Sequence, residues 1–236
     1  MDLPWRLKLL SARARRRLAG PQPDREEVVR RYAAGKTFCD VGCMWKVHGR
    51  IAFVAEEAGA TAVTGVDVMD ATPEFRVEHE RRSSRVRFVH GDVHDASTIA
   101  EVRAHEIVWC SGVLYHAPNP LLTLERLREL TTELLILQTM TLPELPGVKQ
   151  GLVFYPGVPN PRLYARWGQE AARSLRLPEP GEDPYAPWWW GFSRSALAAM
   201  LRAAGFEPVE QWGDPFAVHV IARPAGIIRD PNGNQA

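Results

Sequence analysis

Short apolar runs alternate with helix-like segments between residues 36 and 140, and this alternation constrains the fold more than any other feature of the sequence. Helical periodicity is clearest at 48–60 and at 120–130, the latter with a proline in its first turn. Strands that alternate with helices indicate βαβ units, so we predict a doubly wound α/β domain with a mostly parallel sheet. The predicted strands of this region are 37–41, 62–68, 86–89, 106–110 and 133–139.

The region after residue 190 completes the predicted sheet. A helix is expected at 193–204, with Ser193 as its N-cap and Gly205 at its C-terminal end. Two closing strands, 207–212 and 216–222, bring the predicted number to seven. We therefore expect a helical lead-in at 1–34, the α/β domain at 35–224 and a flexible tail at 225–236.

Residues 141–190 interrupt the α/β rhythm with recurring prolines and aromatic side chains. A loop-rich stretch of this length inside a compact domain is typical of a lid or a binding element. We predict that this insertion covers a substrate pocket. The aromatic candidates for the wall of that pocket are Phe154, Tyr155, Tyr164, Trp188, Trp189 and Trp190.

Composition excludes several classes of protein. The net charge of +1 provides no overall field that would favour nucleic acid or a membrane surface. The three cysteines, Cys39, Cys43 and Cys110, form no Cys-x-x-Cys pair, which argues against a disulfide framework and a structural zinc site, so no metal is expected. This cysteine usage is typical of the reducing cytoplasm, where we expect the protein to reside.

The first 17 residues carry six basic side chains and one acidic side chain, Asp2. This Arg-rich character is similar to that of a transit peptide, but an amphipathic lead-in helix explains the same pattern. No apolar run in the sequence approaches the ~20 residues that are needed to span a bilayer. We expect no membrane-spanning segment.

Acidic residues and glycines follow four successive predicted strands. Asp40 and Gly42 end the first strand, Asp67 ends the second, and Asp92 follows the third. The fourth strand leads into the segment Ser-Gly-Val-Leu-Tyr-His at 111–116. Because ligands of open α/β sheets bind at the carboxyl ends of the strands, we expect these residues to form one site.

This arrangement resembles the class I methyltransferases that depend on S-adenosylmethionine (SAM), over residues 36–140. The resemblance implies that Asp40 and Gly42 serve the methionine part of SAM, that Asp67 binds the ribose hydroxyls and that Asp92 meets the adenine amino group. SAM and its product S-adenosylhomocysteine (SAH) are the expected ligands. The implied cofactor residues are Asp40, Gly42, Cys43, Met44, Asp67, Val68, Met69, Asp92, Val93, Cys110, Ser111 and Gly112.

The chain departs from the family pattern in the loop after the first strand. Further glycines of the family would fall near Met44 and Lys46, where this sequence has Met-Trp-Lys. Glycine is used where the backbone must adopt a positive φ or approach a ligand closely. We therefore expect either a different path for this loop or an altered SAM site.

The acceptor of the methyl group is less constrained by the sequence. His116 is the first candidate for a general base and His48 the second, although a base is needed only when the nucleophile starts protonated. Tyr115 is a further candidate for the substrate pocket. We favour an O- or N-nucleophile of a small organic substrate, with two alternatives: a tRNA wobble-uridine type of transferase, and a non-catalytic protein with the SAM fold.

Overall fold

The architecture of the protein is that of a central β-sheet with helices on both faces. A computed structural model describes residues 23–144, 147–155, 185, 188–214 and 216–226. Residues 1–22 of the predicted lead-in, most of the predicted lid (156–184, including Tyr164) and residues 227–236 of the predicted tail lie outside the described residues. The assignment of 141–190 as a substrate lid therefore stays a prediction.

Helices and strands alternate along the first two thirds of the chain, as predicted. The helices are α1 (Arg25–Ala33), α2 (Arg50–Glu57), α3 (Pro73–Arg82), α4 (Ala96–Val102), α5 (Pro120–Leu130) and α6 (Arg194–Ala203), with a 3-10 turn at Leu114–His116. The strands are β1 (Thr37–Val41), β2 (Ala62–Asp67), β3 (Arg87–His90), β4 (His105–Ser111), β5 (Thr131–Leu142), β6 (Leu152–Phe154), β7 (Trp190–Ser193), β8 (Phe206–Asp214) and β9 (Ala217–Pro224).

The seven predicted strands form one sheet in the order β3-β2-β1-β4-β5-β9-β8. Strands β1 to β5 pair in parallel, whereas β9 is antiparallel to β5 and to β8. The order reverses between β1 and β4, which are direct neighbours. This reversal places the topological switch point, where α/β sheets bind ligands, at the carboxyl ends of β1 and β4.

Side chains of the central strands alternate between two hydrophobic clusters, one on each face of the sheet. In β4, for example, Val108 and Cys110 belong to one cluster, and Ile107 and Trp109 belong to the other. Helices α1, α2 and α3 contribute to the cluster that contains Trp109, and α4, α5 and α6 contribute to the opposite one. The predicted doubly wound α/β fold is therefore confirmed.

Capping residues mark several of the helix starts that the sequence predicts. Ser193 accepts a hydrogen bond from the amide of Ala196 at the start of α6, and Asn119 caps α5 directly before Pro120. At the end of α6, Gly205 adopts a positive φ of 83°. These local signals agree with the packing of both helices on the sheet.

The predicted helix at 48–60 is shorter in the structure, because its first two residues cannot be helical. His48 has a φ of 47° and Gly49 a φ of 76°, so α2 begins at Arg50. The other predicted boundaries differ by a few residues at most, except that of β5. This strand continues to Leu142, because its last two residues pair with β7.

Strand β7 lies parallel to the end of β5 and carries β6 on its other edge. Both short strands come from the flanks of the segment that was predicted to be loop-rich. They attach these flanks at the same edge of the sheet where β1 and β4 end. Within the described part of the chain, no helix is long and apolar enough to cross a membrane.

The turn at Gly42 packs tightly against the segment that follows β4. Its φ is 80°, and a Cβ atom there would lie 2.3 Å from Cγ2 of Val113. Gly35 also has a positive φ, 72°, but no atom lies within 4 Å of the position of its Cβ. Substitutions at these two glycines therefore distinguish the cost of backbone strain, which both would carry, from that of steric overlap, which only Gly42 would carry.

We predict that Gly42→Ala lowers the free energy of unfolding by about 1–3 kcal/mol more than Gly35→Ala, because only the first substitution adds overpacking to the strain of a positive φ. Chemical denaturation at equilibrium measures the free energy of unfolding of both variants. Adding Val113→Ala to Gly42→Ala should recover part of the loss. Equal costs for the two glycine substitutions would contradict the steric argument.

Candidate functional site

A cavity of about 670 Å³ opens at the carboxyl ends of the parallel strands. Its wall includes the ends of β1, β2, β4 and β5 and the turn after β3. The volume lies in the range of small-molecule and cofactor sites. The position is the switch point of the sheet, where the sequence predicts the site.

Asp40 is buried in this wall at the end of β1. Its carboxylate is 2% exposed, and Oδ2 has no hydrogen-bond partner among the described residues. Burial, followed by the nearby charge of Asp67, raises the pKa of Asp40 to about 8, while a hydrogen bond from the amide of Ala52 in the first turn of α2 opposes this. A buried acceptor without a partner costs free energy unless a donor from a ligand satisfies it.

Asp67 ends β2 and holds the loop that follows β1. Its Oδ2 accepts a hydrogen bond from the amide of Met44 at 2.7 Å, and its Oδ1 accepts one from the amide of Met69 at 2.9 Å. A carboxylate has about four acceptor positions, which is more than these two hydrogen bonds use. Asp67 can therefore fix the loop and bind ligand hydroxyls at the same time.

The loop 42–49 closes this end of the cavity without the expected glycines. Lys46 adopts a φ of 60° and His48 a φ of 47°, both in the left-handed region that favours glycine. Backbone hydrogen bonds from His48 to Met44 and from Gly49 to Cys43 hold the turn. The loop thus obtains positive φ values from residues with side chains, at a cost of roughly 1–2 kcal/mol each.

This loop directs one large side chain into the core and another into the cavity wall. Met44 is fully buried in the core, whereas Trp45 lines the cavity and is 56% exposed. The ammonium group of Lys46 lies 4.2 Å from the centroid of the Trp45 ring. Exposure of a tryptophan at a cavity mouth is typical of a ligand-binding surface.

Asp92 lies in the turn after β3 and carries two hydrogen bonds on one oxygen. Its Oδ1 accepts from the amide of His94 at 2.8 Å and from the hydroxyl of Tyr185 at 2.6 Å. Tyr185 comes from the segment 141–190, so a residue of this segment reaches the turn after β3. Both Asp92 and Tyr185 line the cavity.

A polar group lies at the ends of β4 and β5. The hydroxyl of Ser111 donates to Oε1 of Gln138 at 2.6 Å, and the guanidinium of Arg25, at the start of α1, donates to the same oxygen at 3.2 Å. Burial, and then the charge of Arg25, lowers the pKa of His219 to about 4, so this ring, stacked on Trp212, is neutral near pH 7. Arg25 therefore brings positive charge to the part of the wall beside the uncharged amide of Gln138.

His116 lies on the 3-10 turn after β4 and lines the cavity among aromatic rings. Its ring centroid is 4.3 Å from that of Tyr115, 6.4 Å from that of Trp45 and 6.2 Å from that of Trp188. The turn places His116 beside the end of β4, where a ligand bound across the switch point would lie. His116 is thus positioned to contact such a ligand.

Most of the residues predicted for the site line the cavity. They are Asp40, Gly42, Asp67, Val68, Met69, Asp92, Val93, Ser111, Gly112, Tyr115 and His116. The structure brings together the acids of β1, β2 and the β3 turn with the segment after β4, as the sequence predicts.

The side chains of three predicted cofactor residues point elsewhere. Cys43, Met44 and Cys110 are buried in the hydrophobic clusters rather than in the cavity wall. Burial raises the pKa of the Cys43 and Cys110 thiols, which leaves them neutral and unreactive. Only the backbone of these residues remains available to a cofactor.

His48, the second candidate for the base, does not line the cavity. Its Nδ1 lies 3.0 Å from Oγ1 of Thr72, the N-cap of α3, and 3.7 Å from a carboxylate oxygen of Glu74. The positive φ that ends the loop turns this side chain toward α3. His48 thus lies outside the cavity wall, and a role for it as the base stays a prediction.

The described aromatic candidates of the predicted lid do not line the cavity. Phe154 is 40% exposed, and Tyr155 is buried beneath Gly191. Indole Nε1 of Trp190 donates to the carbonyl of Pro118, and the amide of Trp189 donates to the carbonyl of Tyr115. The ring of Trp188 contacts those of Tyr115 and His116, so Trp188, Trp189 and Trp190 hold the segment after β4.

Several residues of the wall were not predicted. The ends of β4 and β5 supply Trp109, Gln138 and Met140, which the rule on strand ends could have identified. Arg25 and Tyr185 are brought into the wall by the folded chain from outside the βαβ region, and no local sequence signal marks them.

A second, shallower depression of about 480 Å³ lies beside α3 and β3. It contains none of the acids at the ends of β1 and β2. In the described ranges, no group of three or more His, Cys, Asp or Glu residues could hold a metal ion. The cavity at the switch point is therefore the candidate functional site.

Residues 10–211 match a protein family described as a methyltransferase domain. No curated protein matches the chain. Among solved structures, 1,6-didemethyltoxoflavin-N1-methyltransferase from Burkholderia thailandensis, with 1,6-didemethyltoxoflavin and S-adenosylhomocysteine bound, is 20% identical, with 85% of this chain and 76% of that chain covered at a TM-score of 0.57.

Two further structures share the fold at lower identity. The N-terminal domain of EvdMO1 with SAH bound is 17% identical, with 86% of this chain and 82% of that chain covered at a TM-score of 0.57. The [4+2]-cyclase SpnF is 16% identical, with 85% of this chain and 80% of that chain covered at a TM-score of 0.57. The family match extends over most of the chain, and the sheet is mostly parallel, as predicted. The chain therefore belongs to the SAM-dependent methyltransferases and has their class I, Rossmann-like fold.

Proposed function

We propose that the protein transfers a methyl group from SAM to an oxygen or nitrogen of a small organic substrate, in the cavity at the switch point. The observation that carries the proposal is the row of carboxylates along the cavity, Asp40, Asp67 and Asp92, in which the buried Oδ2 of Asp40 has no partner among the described residues. SAM carries an ammonium group, a sulfonium, two ribose hydroxyls and an adenine amino group. Each of these donors or charges suits a carboxylate.

In this proposal the ammonium group of SAM binds Asp40, the ribose hydroxyls bind Asp67 and the adenine amino group binds Asp92. The spacing of the acids on neighbouring strands supports this order. Arg25 supports the position of the carboxylate of SAM, because its guanidinium is held by the neutral amide of Gln138 at the β5 end of the cavity. When bound, SAM supplies a methyl group on a good leaving group.

The chain's own residues have to align the acceptor with the methyl group and exclude water. Trp45 and Tyr115 provide apolar wall on either side of His116, which suits an organic acceptor. His116 is the candidate base that removes the proton from a hydroxyl or an ammonium as the nucleophile attacks. Support for a small acceptor comes from the toxoflavin methyltransferase, solved with a small molecule, and from EvdMO1, studied with D-fucose.

The second candidate function is that of a tRNA-modifying transferase. The basic segment 1–17 favours it, but these residues lie outside the described part of the chain. The net charge of +1 favours the small-molecule proposal, because nucleic-acid enzymes depend on a basic surface. A strong dependence of tRNA binding on salt would reverse this order.

The third candidate is a protein with the SAM fold that does not transfer methyl groups. The similarity to a [4+2]-cyclase shows that the fold also occurs in a protein named for a different reaction. Calorimetry with SAM and SAH addresses cofactor binding directly. If neither binds at millimolar concentration, the proposed function is wrong.

The proposed transfer is testable with SAM labelled in its methyl group. We expect label to appear in the low-molecular-mass fraction of a metabolite extract incubated with the protein, and not in purified bulk tRNA incubated in parallel. Extract without protein is the control. Incorporation into tRNA alone would support the second candidate function instead.

His116→Ala is predicted to lower this transfer at least 100-fold, because a positioned base contributes about that much or more to proton removal. Its affinity for SAH should stay within about threefold of the wild type. His48→Ala is the matched control, since His48 lies outside the cavity wall, and it should retain transfer. Undiminished transfer by His116→Ala would exclude His116 as the base.

Asp40→Asn is predicted to stabilise the free protein at high pH while weakening SAH binding at least tenfold. The folded state raises the pKa of Asp40 to about 8, above its value of about 3.9 in the unfolded chain, so the folded state binds the proton more tightly. Stability from this group is therefore lost as pH rises from about 4 to about 8. Asparagine cannot ionise and avoids this loss.

Urea unfolding at pH 5 and pH 8.5 measures the effect. The stability of Asp40→Asn relative to the wild type should increase between the two pH values by up to a few kcal/mol. The exposed Asp95, whose side chain makes no capping hydrogen bond, provides the control Asp95→Asn, for which we expect no such increase. A difference that does not change with pH would contradict the raised pKa.

A further inference from the structure

The hydroxyl of Tyr185 binds the acid that the proposed function assigns to the adenine amino group. It donates to Oδ1 of Asp92 at 2.6 Å, and the same oxygen accepts the amide of His94 at 2.8 Å. Tyr185 also lines the cavity, so this contact belongs to the wall of the site. Tyr185 lies 93 residues from Asp92 in sequence, in the segment 141–190 that was predicted to serve the substrate.

The neighbouring His94 determines how the Tyr185 hydroxyl is used. Thr123 donates its hydroxyl proton to the carbonyl of Asn119, so its oxygen is free to accept from Nε2 of His94 at 2.7 Å. In the neutral imidazole, Nδ1 is then an acceptor that faces the Tyr185 oxygen at 3.3 Å. The hydroxyl proton of Tyr185 therefore lies between two acceptors, and the shorter contact is the one to the carboxylate.

Both hydrogen bonds that the structure describes at Asp92 are made by Oδ1. A carboxylate oxygen has two acceptor positions, so Oδ1 is saturated while Oδ2 can still accept a donor. Two donors on one oxygen also fix the rotation of the carboxylate plane. Hydrogen bonds to a charged group are among the stronger ones in proteins, which makes this orientation rigid.

We propose that Tyr185 is a positioning residue for the cofactor, whose hydroxyl orients Asp92 so that Oδ2 accepts the adenine amino group. The inference rests on the proposed function, in which adenine lies at Asp92. Recognition of the adenine amino group then depends on a residue of the segment 141–190, and not only on the βαβ region. The alternative is that the Tyr185 hydroxyl competes with adenine, by occupying the position on Asp92 that the adenine amino group needs.

The test compares two ligands and two variants by calorimetry. The ligands are SAH and its analogue in which hydrogen replaces the 6-amino group of adenine. Tyr185→Phe removes only the hydroxyl, and Tyr32→Phe removes a tyrosine hydroxyl outside the cavity wall as the matched control. Circular dichroism and thermal melting establish that both variants are folded.

We expect Tyr185→Phe to weaken SAH binding about tenfold, the effect of losing one charge-assisted hydrogen bond, and to weaken binding of the deamino analogue less than threefold. Tyr32→Phe should change neither affinity. In an Asp92→Asn background, adding Tyr185→Phe should no longer weaken SAH binding selectively. This pattern is specific to positioning, because a general packing defect would affect both ligands equally.

Three outcomes would overturn the inference. An equal loss of affinity for both ligands would assign Tyr185 to packing. Tighter SAH binding by Tyr185→Phe would show competition. Unchanged affinities would show that the hydroxyl is dispensable. Failure of the proposed function gives a different result, namely that the wild-type protein does not bind SAH. The two failures are therefore distinguishable in the same set of titrations.

Discussion

The buried carboxylate of Asp40 is the constraint on which the arrangement of the site depends. It lies where the strand order reverses, between the end of β1 and the first turn of α2, and burial holds its pKa near 8. An acid in this position destabilises the folded chain at neutral pH unless it stays protonated or meets a positively charged donor. The hydrophobic clusters on both faces of the sheet offset that cost. The site therefore resembles other functional sites, in which local stability is given up for binding.

The fold was predictable because its signals are local and repeated. Short apolar runs that alternate with helical periodicity specify a parallel sheet, and caps such as Ser193 and Asn119 mark where helices begin. The acids at the strand ends were predictable for the same reason, since parallel strands end at one edge. The loop conformation at Lys46 and His48 was not predictable, because left-handed backbone in residues with side chains has no sequence signature. Arg25 and Tyr185 escaped prediction because only tertiary contacts bring them to the cavity.

The loop 42–49 shows what glycines contribute to a motif of this kind. They supply backbone freedom, and the same positive φ is available to Lys46 if the fold compensates for the strain. Two contacts do so here: the carboxylate of Asp67 binds the amide of Met44, and the side chain of Met44 is anchored in the core. The departure from the glycine pattern is therefore compatible with a closed loop. It also places Trp45 at the cavity mouth, which a glycine-rich loop would not do.

The proposed function assigns cofactor binding and methyl transfer to different residues of this cavity. In that proposal the row of acids, Asp40, Asp67 and Asp92, binds the cofactor. Activation of the acceptor is proposed for His116, which lies after β4 among Tyr115, Trp45 and Trp188. The same fold occurs in a protein named as a [4+2]-cyclase, so the fold by itself does not determine the reaction. Trp188, Trp189 and Trp190 contact the segment that carries His116, so the part of the chain that differs most from a plain α/β domain also contributes to the position of the candidate base.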